Sequence, residues 1–112
     1  MSRLIVFGVA LSLGIAGAAR AQDATAAKGM KIFTDQKCSL CHSIAEKGNK
    51  KGPLDEVGSM LSASEIRQWI VNSKEMAEKT KAERKPPMKE FDLPKKDVDS
   101  LVAYLQTLKK KA

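Results

Sequence analysis

Three stretches of the chain repeat apolar residues at helical spacing, and the segments between them carry the residues that end helices. The first opens with Asp23 as a helix N-cap and places Ala26, Met30 and Phe33 on one stripe. Residues 43–59 hold Gly48, Gly52, Pro53 and Gly58 with no sustained period, which reads as a loop. A second helix follows. Ser62 and Glu65 are spaced as a capping box, Leu61 and Ile66 occupy the staple positions, and Ile66, Trp69 and Ile70 share a face. Residues 74–85 are mostly charged; Glu75 and Lys79 are placed to pair across one turn of a solvated helix, which Pro86-Pro87 then stops. Beyond Pro94, Val98, Leu101, Val102, Leu105 and Leu108 form a long apolar stripe, with Asp97 and Asp99 early and Lys109, Lys110 and Lys111 late, in the sense that suits the helix dipole. No segment alternates as a strand and no internal repeat is present, so the pattern predicts one all-α domain.

The amino-terminal end has a different character. Residues 4–19 are uncharged and follow Arg3, and Ala19-Arg20-Ala21 has the small-x-small form of a cleavage site, so residues 1–21 read as a secretory signal peptide. The apolar run is shorter than the ~20 residues of a spanning helix, and no stop-transfer segment follows. Cys38 lies too far from the signal to accept a lipid anchor. The expectation is an exported, periplasmic protein of residues 22–112, with no stable membrane insertion after cleavage. Loss of Arg3 and Arg20 lowers the net charge from +7 to +5 and leaves 18 of the 20 basic residues. A domain this small buries only about 60–65% of its unfolded surface, so it needs a disulfide, a metal or a cofactor as reinforcement.

The chain has two cysteines and one histidine, and all three fall in Cys38-Ser39-Leu40-Cys41-His42. A structural zinc site wants four nitrogen or sulfur ligands and finds three. A thioredoxin-like dithiol sits in an α/β fold, and this chain shows no strands. A bare disulfide would close a very small loop and leave His42 without a role. Covalent haem uses all three residues: two thiols on one turn add to the two vinyl groups of one porphyrin, and the adjacent imidazole is the proximal iron ligand. With no second histidine, an internal sixth ligand must be Met30, Met60, Met76 or Met88. Met30 belongs to the first helical stripe, Met60 sits beside a cap, and Met76 lies in the charged helix. Met88 follows two prolines that stiffen its loop, so Met88 is the expected ligand.

These residues, taken in order, resemble the class I c-type cytochromes, small monohaem electron carriers. The resemblance spans nearly all of residues 22–111. It rests on Gly29 and Phe33 in the first helix, the motif at residues 38–42, Gly52-Pro53-Leu54, Pro86-Pro87-Met88 with Phe91, and Leu101-Val102-Ala103-Tyr104-Leu105 in the last helix. It implies a cytochrome c fold, four to five short helices wrapped around one covalently bound haem c. It also implies that Gly29 lets the first and last helices cross near Tyr104, that the Pro53 carbonyl accepts from the His42 ring, and that Trp69 packs on the haem. The stretch from 72 to 88 is longer and more charged than in mitochondrial members, and Asn72-Ser73 stands where many relatives have Asn-Pro.

Histidine and methionine together leave no open iron position, and the soft thioether favours the reduced ion. The expected function is therefore an electron carrier rather than an enzyme, with Leu54, Ile66, Trp69, Ile70 and Phe91 as its apolar shell. Two other readings are a haem protein whose sixth position opens to a gas or peroxide, and a non-haem thiol–disulfide protein using Cys38 and Cys41. Most basic residues belong to solvated faces, but Lys37, Lys85 and Lys89 flank the motif and Met88. They are placed to meet redox donors and acceptors with acidic docking surfaces. A monomer is expected. Interleaved basic and aromatic residues, which a nucleic-acid site needs, are absent.

Overall fold

A computed structural model describes residues 15–111, with side chains from Asp23 onward. Residues 1–14, most of the expected signal peptide, lie outside the described residues. The described residues form five α-helices, α1 (Ile15–Asp35), α2 (Val57–Met60), α3 (Ala63–Val71), α4 (Ser73–Thr80) and α5 (Lys95–Gln106). A short 3-10 turn, Cys38–Leu40, and a two-stranded antiparallel sheet, β1 (Ser43–Ile44) with β2 (Lys47–Gly48), fill the span between α1 and α2.

In the uncleaved chain helix α1 runs through Asp23 without a break, so Asp23 does not cap it there. The alanine-rich stretch on either side of that position has high helical propensity and neither glycine nor proline between 18 and 28, which outweighs a single capping side chain. At its carboxyl end α1 crosses α5 closely. A methyl group on Gly29 would overlap the Ser100 carbonyl and stand 2.6 Å from the Tyr104 Cβ, so only glycine permits this approach. Phe33 and Tyr104 meet edge to face at 6.0 Å beside the crossing.

Helix α3 begins as its sequence requires. The Ser62 hydroxyl accepts from the Glu65 amide at 3.1 Å and the Glu65 carboxylate accepts from the Ser62 amide at 3.0 Å, completing the capping box. Leu61 packs on the core, and Ile66 and Ile70 are buried in it. The Glu75–Lys79 pair forms at 3.2 Å on the solvated face of α4, which ends with Lys81 in the left-handed conformation. Helix α5 keeps its stripe, burying Val98, Leu101, Val102 and Leu105, with Asp97 in its first turn. It stops at Gln106, however, so the three lysines at 109–111 lie beyond it and do not serve its dipole. Lys109 donates instead to the Gly58 carbonyl at 3.2 Å, and the Gly58 amide donates to the Leu108 carbonyl at 2.7 Å.

The segment at 43–59 is more ordered than a loop. Ala45 and Glu46, both with positive φ, turn the chain so that Ser43 pairs with Gly48 and Ile44 with Lys47. Strands of two residues carry no alternation, so periodicity has nothing to detect. The buried apolar residues, Ile32, Phe33, Ile66, Ile70, Val98, Leu101, Val102 and Leu105, come from α1, α3 and α5. They back one cleft.

Candidate functional site

The sequence at 38–42 is wound into one tight turn. The Cys41 and His42 amides both donate to the Cys38 carbonyl, at 3.2 and 3.0 Å, which brings Cys38, Cys41 and His42 to the wall of the same cleft. Both cysteines are free thiols. Burial pushes the Cys38 thiol up to about 11, the backbone bond and Lys89 opposing that rise. The hairpin folds back on the turn and fixes it, since the Asn49 amide donates to the Ser39 and His42 carbonyls at 3.0 Å and its side chain to the Leu40 carbonyl at 3.1 Å.

The His42 ring is oriented by its Nδ1, which donates to the Gly52 carbonyl at 3.0 Å. The acceptor is thus Gly52 and not Pro53, as the resemblance had implied. Ser43 explains the difference: its amide also donates to the Gly52 carbonyl at 3.1 Å, and its own carbonyl takes the Leu54 amide at 2.8 Å, which aims Gly52 rather than Pro53 inward. Burial holds the imidazole below its ordinary value; the Gly52 bond opposes this and the nearby Arg84 charge reinforces it. The ring is therefore neutral near pH 7. With Nδ1–H engaged, Nε2 keeps its lone pair for a metal.

Facing residues come from α3, α4 and the segment after it. Leu54, Ile66, Trp69, Ile70 and Phe91, the five expected shell residues, all line the cleft, and so does Met88. The other methionines do not. Met30 and Met60 are 54% and 75% exposed, and Met76 lies on α4 outside the lining. Met88 is held by more than the two prolines. The Ser73 hydroxyl, only 1% exposed as a residue, donates to the Met88 carbonyl at 2.8 Å, and the Phe91 amide donates to the Ile70 carbonyl at 2.9 Å. The serine that replaces proline after Asn72 therefore tethers the loop from α4. Ser73 and Arg84 carry no signal in the sequence as site residues beyond the departure from Asn-Pro at Asn72-Ser73.

The cleft has a volume of about 260 Å³ and its lining is almost wholly apolar. Two thiols, one neutral imidazole and one thioether are the metal- and vinyl-reactive groups it offers, with the Arg84 guanidinium at its edge. That set suits a flat apolar macrocycle with a central transition metal, because vinyl groups meet thiols and a borderline-soft iron meets nitrogen and sulfur. A helical fold closed around such a cleft defines a haem-binding protein. The family model described as Cytochrome c matches residues 26–109, and the chain belongs to that family, which implies haem c and haem-based electron transfer. No curated protein and no solved structure matches the chain. Among the described residues no helix is long and apolar enough to cross a membrane.

Proposed function

We propose that this protein is an exported, monomeric class I carrier that passes single electrons between redox proteins. It holds one haem c through thioether bonds to Cys38 and Cys41, with His42 and Met88 as axial ligands. The observation that supports this most is that the two thiols, the His42 imidazole and Met88 line a single apolar cleft while Met30, Met60 and Met76 do not. Bound haem supplies a one-electron couple. The residues do the rest. Gly52 orients His42, Ser73 tethers Met88, and the apolar wall of Trp69, Ile70 and Phe91 keeps water away, so little rearranges when charge changes. A thioether ligand beside the imidazole nitrogen in the donor set would raise the potential relative to a second imidazole.

Mass and absorption spectra of the protein recovered from the periplasm test the reading together. The expected mass is residues 22–112 plus one haem that resists acid extraction, and the expected spectrum has sharp reduced α and β bands. A high-spin spectrum would favour the open-site reading, and the absence of a Soret band would favour the dithiol protein.

The lysines near the cleft have a separate part. Lys89 stands 4.7 Å over the ring of Phe91, a cleft-lining residue, and Lys37 and Lys85 are exposed on either side of lining residues. Together they form a rim that steers an acidic partner. Replacing Lys37, Lys85 and Lys89 by Gln should slow reaction with the physiological partner about tenfold or more at low salt, whereas the same change at Lys109, Lys110 and Lys111 should have a smaller effect. The difference should shrink as ionic strength rises past ~0.15 M. Stopped-flow rates for the two triple variants decide it; equal slowing removes the rim.

A further inference from the structure

Arg84 belongs to the exposed segment between α4 and Pro86, yet its Nη2 donates to the carbonyl of Cys41, 43 positions away, at 2.5 Å. Its second terminal nitrogen occupies the space a side chain on Gly52 would need, and a Cβ there would also stand 2.5 Å from the Cys41 oxygen. Gly52 is the residue whose carbonyl takes the His42 Nδ1 proton. The guanidinium therefore reaches from the chain that delivers Met88, over the edge of the cleft it helps to line, to the turn that carries both thiols and the proximal histidine. Among the described residues no ion pair joins it to a carboxylate. Its charge is left facing the site.

Resting on the axial pair proposed above, we infer that Arg84 is a positioning residue with two effects. It clasps the Met88 segment to the haem-attachment turn, and its fixed charge beside the His42–Gly52 pair raises the reduction potential. Two features make arginine suited to both. Its planar fork presents several donors in one geometry, and it stays protonated at any relevant pH. Residues 81–87 are all exposed and lie on no regular element, so without a tie to a rigid partner this stretch opens readily. Ser73 tethers Met88 from the α4 side, and Arg84 tethers it from the side of the thiols. A positive charge that is not cancelled locally disfavours the more positive, oxidised site.

The test uses holoprotein carrying Arg84→Gln or Arg84→Lys, with two readouts: the midpoint potential by spectroelectrochemistry, and the affinity of the ferric protein for added imidazole, which competes with the methionine. Arg84→Gln should raise the ferric-to-ferrous ratio at a fixed ambient potential about two- to threefold, the scale of a partly solvated charge. It should also tighten imidazole binding about fivefold or more, because the clasp no longer opposes opening. Arg84→Lys keeps the charge and loses the fork, so it should restore the potential while imidazole binding stays tighter than in the parent. A parent protein showing the far-red charge-transfer band of His/Met ligation, with Arg84→Gln unchanged in both readouts, overturns both roles of Arg84 and leaves the iron-ligand pair standing. A parent without that band overturns the axial pair and the clasp with it. Equal potentials in the Gln and Lys variants, both below the parent, overturn the role of the charge.

Discussion

The double variant Cys38→Ala, Cys41→Ala should be recovered as a largely unfolded chain, having lost more than ~5 kcal/mol of stability. The reason lies in what backs the cleft. The buried apolar set among the described residues is eight side chains, and Phe33, Ile66, Ile70, Leu101 and Leu105 of that set also line the cleft. Those five belong to the packed core and also form the wall of the cleft, so losing its occupant leaves one side of the core itself open to water. An apolar cleft of about 260 Å³ left open to water forfeits burial that a domain of marginal stability needs. Collapse of the walls is hindered because the Gly29 crossing fixes α1 against α5, and the hairpin pins the 38–42 turn. Residual helix near that crossing is compatible with the expectation, since local contacts there do not need the cleft. Far-UV circular dichroism with a urea titration decides it. A cooperative melt from a native-like helical baseline would show that the polypeptide builds its core without covalent haem.

The parts of the molecule legible in the sequence are those in which a single local rule acts alone. The capping box of α3 needs only Ser62 and Glu65 at the right spacing, and the α5 stripe needs only its period. The motif at 38–42 brought its three side chains to one wall because a single turn does so whatever surrounds it. Features set by distant segments were not legible. That Gly52 rather than Pro53 receives the His42 proton depends on the Ser43 amide, and that Lys109 serves Gly58 depends on where α5 stops. Ser73 and Arg84 act on residues 15 and 43 positions away, and neither residue type signals such a reach. In the sequence Met88 stands out through the stiffness of Pro86-Pro87. The fold adds a second constraint on the same loop, the Ser73 bond to the Met88 carbonyl, which no local rule foretells.

Met88→Ala should abolish the far-red charge-transfer band of the ferric protein, make the reduced protein bind carbon monoxide, and lower the potential by about 0.1 V or more, within the ~0.8 V that axial ligands span. Met30→Ala, Met60→Ala and Met76→Ala should leave all three properties in place. Exposure sets aside two of these. Met30 and Met60 lie more than half in solvent, away from the cleft, and turning either inward would require moving α1 or α2. Met76 is the serious competitor, being half-buried on α4, the helix that precedes the Met88 segment. Its carbonyl takes the Thr80 hydroxyl at 2.8 Å, and its amide donates to the Asn72 carbonyl at 3.1 Å, so it is built into the helix at both ends of its turn. Bringing its sulfur to the cleft would mean unwinding α4 and breaking the Ser73 bond to Met88, a buried hydroxyl whose loss costs about 1–3 kcal/mol. Met88 faces no such barrier, because its prolines limit the unbound loop and its carbonyl is already held. Visible and near-infrared spectra of the four variants, taken ferric and then reduced under carbon monoxide, separate the cases. If Met88→Ala keeps the band and Met76→Ala loses it, α4 must unfold over the cleft in the holoprotein, and the Ser73 tether would then restrain the open form rather than the ligated one.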